Sequence, residues 1–284
     1  MQLEVNRAPS AAIFDDAVRL HMMGAWEDLV GGLRKYDLWG RLGWLEIKRR
    51  YRRTMMGPFW TCITLLMFVI VIGSVGSGLL SKQTAEYLPF LVAGMIVWVT
   101  LQSTLLESVN VFVAGAGLIR QMNFEYSILV YSLVWRNFIV FAHNLLVYLL
   151  ILLIFAPDKL GFANVLAIPS LIVLAANCAW LSLLLGLVSL RFRDLQQLVM
   201  STVQVSMFVT PLFWPPESLE GLRRIFFVDF NPLYHLLTIV RDPLLGGKLP
   251  SVDSCIAATL ITIGGWALTY AMFAKYRKRI SYWL

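Results

Sequence analysis

Hydrophobic positions in this chain gather into runs much longer than a soluble protein buries in one element. Phe59–Leu80 is 22 residues without a charge, and Tyr87–Leu106 gives another 20 before Glu107. From Tyr126 to Pro157 the only charged residue is Arg136, and Leu160–Leu190 is uncharged for 31 residues, with Pro169 near its start. Leu195–Pro216 and Ser254–Ala274 complete the series. A segment that crosses a bilayer must close its backbone hydrogen bonds internally and show apolar side chains over about 20 residues. The pattern therefore predicts an all-α integral membrane protein with six transmembrane helices, over about 59–80, 87–106, 132–155, 168–190, 196–214 and 254–274.

Three segments outside these runs keep a pattern of their own. Before the first span, Trp26, Leu29, Val30, Leu33 and Tyr36 recur at helical spacing, and Leu38, Leu42 and Leu45 continue it with one slip. Charges fill the other face, which predicts an N-terminal amphipathic helix lying in the membrane interface. The loop 107–127 holds Gly115, Gly117, Arg120, Asn123 and Glu125 yet stays fairly apolar, and a short helix at the membrane surface fits it. Between spans five and six, Pro215-Pro216 stops one run and Glu217–Phe227 reads as a short helix. Asn231-Pro232 then gives a cap and first-turn signature for a second helix to about Arg241, ended by Pro243 and Gly246-Gly247. Both are too short to span but carry Ile225, Phe226, Phe227, Phe230, Leu236 and Leu237, so a re-entrant outer helical hairpin fits better than a solvated loop. The organisation is thus a cytoplasmic segment 1–24, an interface helix with basic flank 25–58, a transmembrane domain 59–274 and a cytoplasmic tail 275–284.

Composition agrees, and charge adds orientation. Of 284 residues 58% are hydrophobic and only 14% charged, against about a quarter charged in soluble domains. With the N-terminus inside, the inside segments hold 17 Lys and Arg and the outside loops 6, the sense of the positive-inside rule. Both termini are then cytoplasmic. This placement accounts for the net charge of +7 without invoking nucleic acid. Cys62, Cys178 and Cys255 each fall in an apolar run and read as small packing residues. No cleavable signal peptide is visible, so span one is expected to act as its own insertion signal.

The chemistry points away from catalysis. There is no Walker A sequence; the nearest string, Gly73-Ser74-Val75-Gly76-Ser77-Gly78, lies inside span one, where small residues let helices approach. His21, His143 and His235 have no metal-ligand spacing. His143-Asn144, Gln102, Asn177 and Gln204 read as interhelical hydrogen-bonding groups, with a polar pathway as the alternative for His143-Asn144. Arg136 and Glu107 read as residues at the cytoplasmic edge with snorkelling side chains. The basic run Lys48-Arg49-Arg50-Tyr51-Arg52-Arg53 anchors span one on the inner leaflet, or draws a phosphate-bearing lipid head group to an entrance.

That run, continuing through Thr54-Met55-Met56-Gly57-Pro58-Phe59-Trp60, resembles the start of span one in type-2 ABC exporter permeases. The similarity is greatest to the group that exports O-antigen, capsule or teichoic-acid polysaccharide. Further matches are Gly117-Leu118-Ile119-Arg120-Gln121, Arg191-Phe192-Arg193-Asp194, Pro211-Leu212-Phe213-Trp214, Asn231-Pro232-Leu233-Tyr234-His235 and Arg279-Ile280-Ser281-Tyr282-Trp283-Leu284. The resemblance covers about residues 25–284. It implies the permease subunit of an ATP-driven exporter of lipid-linked polysaccharide in the bacterial inner membrane. The subunit would be a homodimer joined to two copies of a separate nucleotide-binding ATPase, with the polymer passing between the two permease copies.

The resemblance also implies roles. The segment 111–124, with Gly115, Gly117, Leu118, Ile119, Arg120 and Gln121, would be the coupling helix seated in the ATPase. The helix 25–45 and the residues Lys48, Arg49, Arg50, Arg52 and Arg53 would border the entrance for an undecaprenyl-diphosphate-linked glycan. The hairpin 217–245, with Phe226, Phe227, Asn231, Pro232, Tyr234, His235 and Arg241, would be the outer gate. This chain would bind no cofactor; ATP and Mg belong to the partner. The nearest alternative is an exporter of a drug or small lipid. A membrane enzyme of lipid-linked sugar metabolism would need convergent carboxylates, and Asp194, Glu107 and Asp229 are scattered in sequence.

Overall fold

The computed structural model describes residues 10–122, 124–159, 161–246 and 249–284, with the side chains of 10–21, 162 and 163 left aside. Residues 1–9, Asn123, Leu160, Gly247, Lys248 and the side chain of His21 lie outside the described set. Every regular element among the described residues is helical.

Helices α1 (Ser10–Arg34) and α2 (Tyr36–Arg50) lead into α3 (Phe59–Leu79) and α4 (Thr84–Ser108). Two short helices, α5 (Val111–Ala114) and α6 (Ala116–Gln121), connect to α7 (Ser127–Phe155). Then come α8 (Ala167–Arg191), α9 (Leu195–Val209), α10 (Gly221–Arg224), α11 (Pro232–Leu244), α12 (Val252–Tyr276) and α13 (Ile280–Trp283). The break between α1 and α2 at Lys35 falls where the apolar periodicity slips, so the interface segment is two helices and not one.

Among the described residues five helices are long and apolar enough to cross a membrane: α3, α4, α7, α8 with the turn before it, and α12 with the turn after it. The run expected to be a fifth span of 196–214 forms α9, only 15 residues, and gives way at Thr210 to extended chain. Pro211 supplies the reason, because it disfavours helical backbone at the residue before it.

The core is built around α4. Within its most apolar window 72% of residues are buried, against 28% in α3 and 22% in α12. Its faces pack on α3, α7, α8, α9 and α11, which makes it the central post. Packing on α3 needs small residues: a Cβ at Gly73 would sit 2.2 Å from Leu88 Cδ2. The small-residue string therefore does what its spacing suggests.

Buried polar groups tie the post to its neighbours. Asn137 Nδ2 donates to Thr104 Oγ1 at 3.1 Å, joining α7 to α4, and Ser108 Oγ donates to Ser182 Oγ at 2.9 Å, joining α4 to α8. Asn177 Nδ2 reaches Thr262 Oγ1 at 2.7 Å, joining α8 to α12, as an interhelical role requires. Asn144 departs from that role, since its buried amide has no partner among the described residues. His143 turns to its own helix, Nδ1 lying 2.7 Å from the carbonyl of Ile139. Cys62 and Cys178 are buried packing residues, whereas Cys255 is exposed, on the outward face of α12.

Candidate functional site

The end of the bundle where α3 begins and α12 finishes, the basal end, carries the densest chemistry. A cleft of about 760 Å³ opens there between α2, the end of α4, the α5–α6 turn and the first part of α7. Its charged lining is Glu46, Arg49, Arg50, Glu107 and Arg136. Arg136 donates to Glu107 Oε2 at 2.6 Å and also pairs with Glu46, and Arg50 reaches Glu107 Oε1 at 2.5 Å. Two acids and two arginines close into a neutral network that binds α2, α4 and α7 together. The snorkelling expected of Arg136 and Glu107 is thus replaced by mutual pairing, because Arg136 lies nine residues inside α7 and its side chain is only 12% exposed.

The α5–α6 turn hangs from this end on inward-facing residues and shows others outward. Gly115 and Ile119 are buried, and a Cβ at Gly115 would come within 2.4 Å of Leu129 Cδ1. Gly117, Leu118, Arg120 and Gln121 face out, and a Cβ at Gly117 would meet nothing within 4 Å. These six residues therefore divide into two that seat the turn and four that are presented.

The exit of the turn is tethered twice. Glu125 accepts from Lys35 Nζ at 2.6 Å; burial works against its ionisation, but the Lys35 hydrogen bond and charge outweigh it and hold the carboxyl below the usual range. Asp28, fully buried, accepts from the backbone amides of Tyr126 at 3.1 Å and Ser127 at 3.0 Å and so caps α7. Arg277 Nε supplies its counter-charge at 2.7 Å. Sequence reading missed Asp28. The available signal is a second stripe, Ala25, Asp28, Leu29 and Gly32, at helical spacing beside the apolar one. That second stripe faces protein: Ala25, Asp28, Leu29 and Gly32 are buried, while Trp26, Leu33, Tyr36 and Leu45 are more than half exposed.

The basic residues Lys48, Arg49, Arg50, Arg52 and Arg53 are all exposed, with Arg50 drawn into the network and Lys48 lying 5.8 Å from the Trp44 ring. They succeed one another around the end of α2 and the turn before α3, where Arg53 takes a left-handed φ of 68°.

At the opposite, distal end, α11 is inserted in the protein, with nine of its 13 residues buried. Asn231 caps it, its Oδ1 accepting from the amides of Leu233 and Tyr234 at 3.0 and 3.2 Å. Its Nδ2 ties the cap to Thr210 Oγ1 at 3.1 Å. His235 bridges the carbonyl of Asp229 at 2.9 Å and Ser254 Oγ at 3.1 Å. Arg241 is buried, donating to the carbonyl of Pro211 at 2.8 Å, and its guanidinium lies 4.6 Å from the Phe90 ring centre. The preceding limb differs from the plain helix expected over 217–227: it is α10 followed by a wide turn Ile225–Asp229, with Phe226 68% exposed. Pro243 does not end α11, which runs on to Leu244.

Residues 38–245 match the family model of the ABC-2 type transporter, nearly three quarters of the chain and all but the first two residues of the α2-to-α11 body just described. The chain belongs to the ABC-2 type transporter family. Among curated proteins, this ABC-2 chain is 22% identical over 205 residues to an O-antigen export system permease protein RfbA of Klebsiella pneumoniae, covering 72% of this chain and 78% of that one. The protein of the same description from Myxococcus xanthus is 20% identical over 219 residues, covering 77% and 84%. A further Klebsiella pneumoniae protein so described is 22% identical over 237 residues, covering 82% and 88%. ABC-2 membership makes the chain the membrane part of a transporter and not itself a catalyst.

Proposed function

We propose that this chain is the permease subunit of an ATP-driven exporter that moves lipid-linked polysaccharide across the bacterial inner membrane. The observation that carries the reading is the α5–α6 turn of this ABC-2 chain, which leaves Gly117, Leu118 and Gln121 exposed at the basal end, where we read them as the docking face for a partner. That end faces the cytoplasm in this reading, and the partner is a separate ATPase that binds ATP and Mg. Two permease copies and two ATPases form the working unit. ATP binding and hydrolysis bias two arrangements of the helices, and the polymer passes between the permease copies.

Parity supports reading six crossings. Ser189 Oγ lies against the carbonyl of Val109, so α8 ends basally beside the end of α4. Ser254 lies beside His235, so α12 starts distally, and Arg277 meets Asp28 basally. In this reading the chain between crosses once, through α9 and the extended residues 210–214. The burial of α11 supports a re-entrant hairpin, with Asn231, Pro232, Tyr234, His235 and Arg241 as its hinge and Phe226 and Phe227 as its gate-facing aromatics. The exposed apolar face of α1 and α2 would lie in the inner leaflet's interface and, with Lys48, Arg49, Arg50, Arg52 and Arg53, border the entrance for an undecaprenyl-diphosphate-linked glycan. The names of the relatives support O-antigen-like glycan over a drug or small lipid as cargo.

The decisive experiment is reconstitution. Purified permease alone should hydrolyse no ATP, and adding the ATPase should give hydrolysis stimulated by lipid-linked glycan. Stimulation by small lipids and not by glycan would overturn the cargo. Because a Cβ at 117 would meet nothing within 4 Å, Gly117→Trp should fold normally and weaken ATPase docking at least tenfold. Normal docking would refute the coupling assignment.

A further inference from the structure

The segment after α12 is short and basic, and anchoring to anionic lipid would account for Lys275, Arg277, Lys278 and Arg279. It does not account for the packing of the last residues. The tighter turn Arg277–Arg279 leads the chain into α13, which packs on both α6 and α8. Ile280 is fully buried although its neighbour Tyr282 is 86% exposed. Trp283 lies 5.7 Å from the Tyr276 ring, and the two close a recess at the end of α8 beside Leu187 and Met272. The carbonyl of Leu284 accepts a hydrogen bond from the guanidinium of Arg120 on α6. At the start of the same segment Arg277 holds Asp28, which caps α7 immediately after the α5–α6 turn.

We propose that residues 277–284 are a positioning element for the α5–α6 turn, fixing the angle at which α6 meets its partner. The segment grips the exit of the turn at two points, at Arg120 directly and at Tyr126–Ser127 through Asp28. Arg120 then acts by holding α6 against the segment, leaving Gly117, Leu118 and Gln121 to make the contact. The proposal rests on the reading of α5–α6 as the ATPase-docking turn.

The test is a double-mutant cycle on the full permease in nanodiscs, titrated with its ATPase, with hydrogen exchange of the α6 amides as a second readout. Arg120→Ala and Trp283→Ala should each weaken docking about fivefold, the worth of one hydrogen bond or contact. Together they should do no more than either alone, since both release the same grip. Amides of α6 should exchange faster in both variants and those of α11 should not. Arg120→Lys, still a donor to the Leu284 carbonyl, and Trp283→Phe, still a ring against Tyr276, should dock within twofold of the parent. Multiplying losses would show that Arg120 touches the ATPase on its own account and overturn the proposal. Unchanged docking in Trp283→Ala would also overturn it, and Trp283→Leu carries the same comparison should the alanine variant aggregate. Gly117→Trp separates the two readings. If it docks normally, the coupling assignment falls; if it fails to dock while Trp283→Ala docks normally, only the positioning role falls.

Discussion

Arg136 near the basal end and Arg241 near the distal end are both carried into the body of the protein, and they are satisfied in opposite ways. Arg136 has two carboxylates, Glu107 and Glu46, and Glu107 is shared with Arg50. The charges cancel locally, and the two central members, Arg136 and Glu107, each keep a second partner. Arg241, with its side chain 3% exposed, is held chiefly by neutral groups: the Pro211 carbonyl, Thr238 Oγ1 at 3.5 Å and the Phe90 ring, with Asp242 at 3.8 Å. A shared ion-pair network can lose a member and re-pair. A buried cation whose one close hydrogen bond goes to a backbone carbonyl has no equivalent partner to turn to, which fixes α11 against the chain at Pro211.

The difference can be broken experimentally. Arg241→Met should be the most damaging change, costing about 2–4 kcal/mol because the Pro211 carbonyl is left buried without a donor. Thermal unfolding in detergent would read this as a loss of monodisperse protein at lower temperature. Arg241→Lys should recover only part, lacking the planar fork that spans carbonyl and ring. Arg136→Met should cost less, about 1–2 kcal/mol, since Glu107 keeps Arg50 and Glu46 is already 40% exposed. Equal losses at the two positions would erase the contrast.

The smallest effect belongs to the exposed Lys35–Glu125 pair, where Lys35→Ala should cost about 0.2–1 kcal/mol. Its pH dependence has a defined sign. The Glu125 carboxyl is held below its ordinary value, so the pair's contribution is complete above about pH 5 and is lost as pH falls through the depressed value. The difference in unfolding temperature between Lys35→Ala and the parent should therefore shrink on acidification below that point. A difference that grew would mean another carboxylate dominates.

Apolar runs made most of the helical frame legible, because a bilayer leaves few other solutions for twenty uncharged residues. Asn231-Pro232 marked the start of α11 for a similar reason, since the cap chemistry is local. Relations across long separations stayed hidden. Asp28 looks like any surface acid until Arg277, 249 residues later, is seen beside it. The apolar stripe of α1 and α2 was visible, but not that a second stripe with an acid and glycines faces α7. Resemblance brought the residues of the α5–α6 turn together as a group, while their division into seated and presented members needed the fold. Nor does periodicity show that Arg241 points into protein, because its helix is apolar on nearly every side.

The length of α9 falls short of a membrane. Fifteen residues rise about 22 Å, whereas the hydrocarbon layer is about 30 Å thick. In the six-crossing reading the extended residues 210–214 cover the remaining depth, and backbone that is not helical there has to find its partners in neighbouring protein. The Pro211 carbonyl accepts from Arg241 and the Phe213 carbonyl from the Tyr87 hydroxyl, so side chains from α11 and α4 close what α9 leaves open.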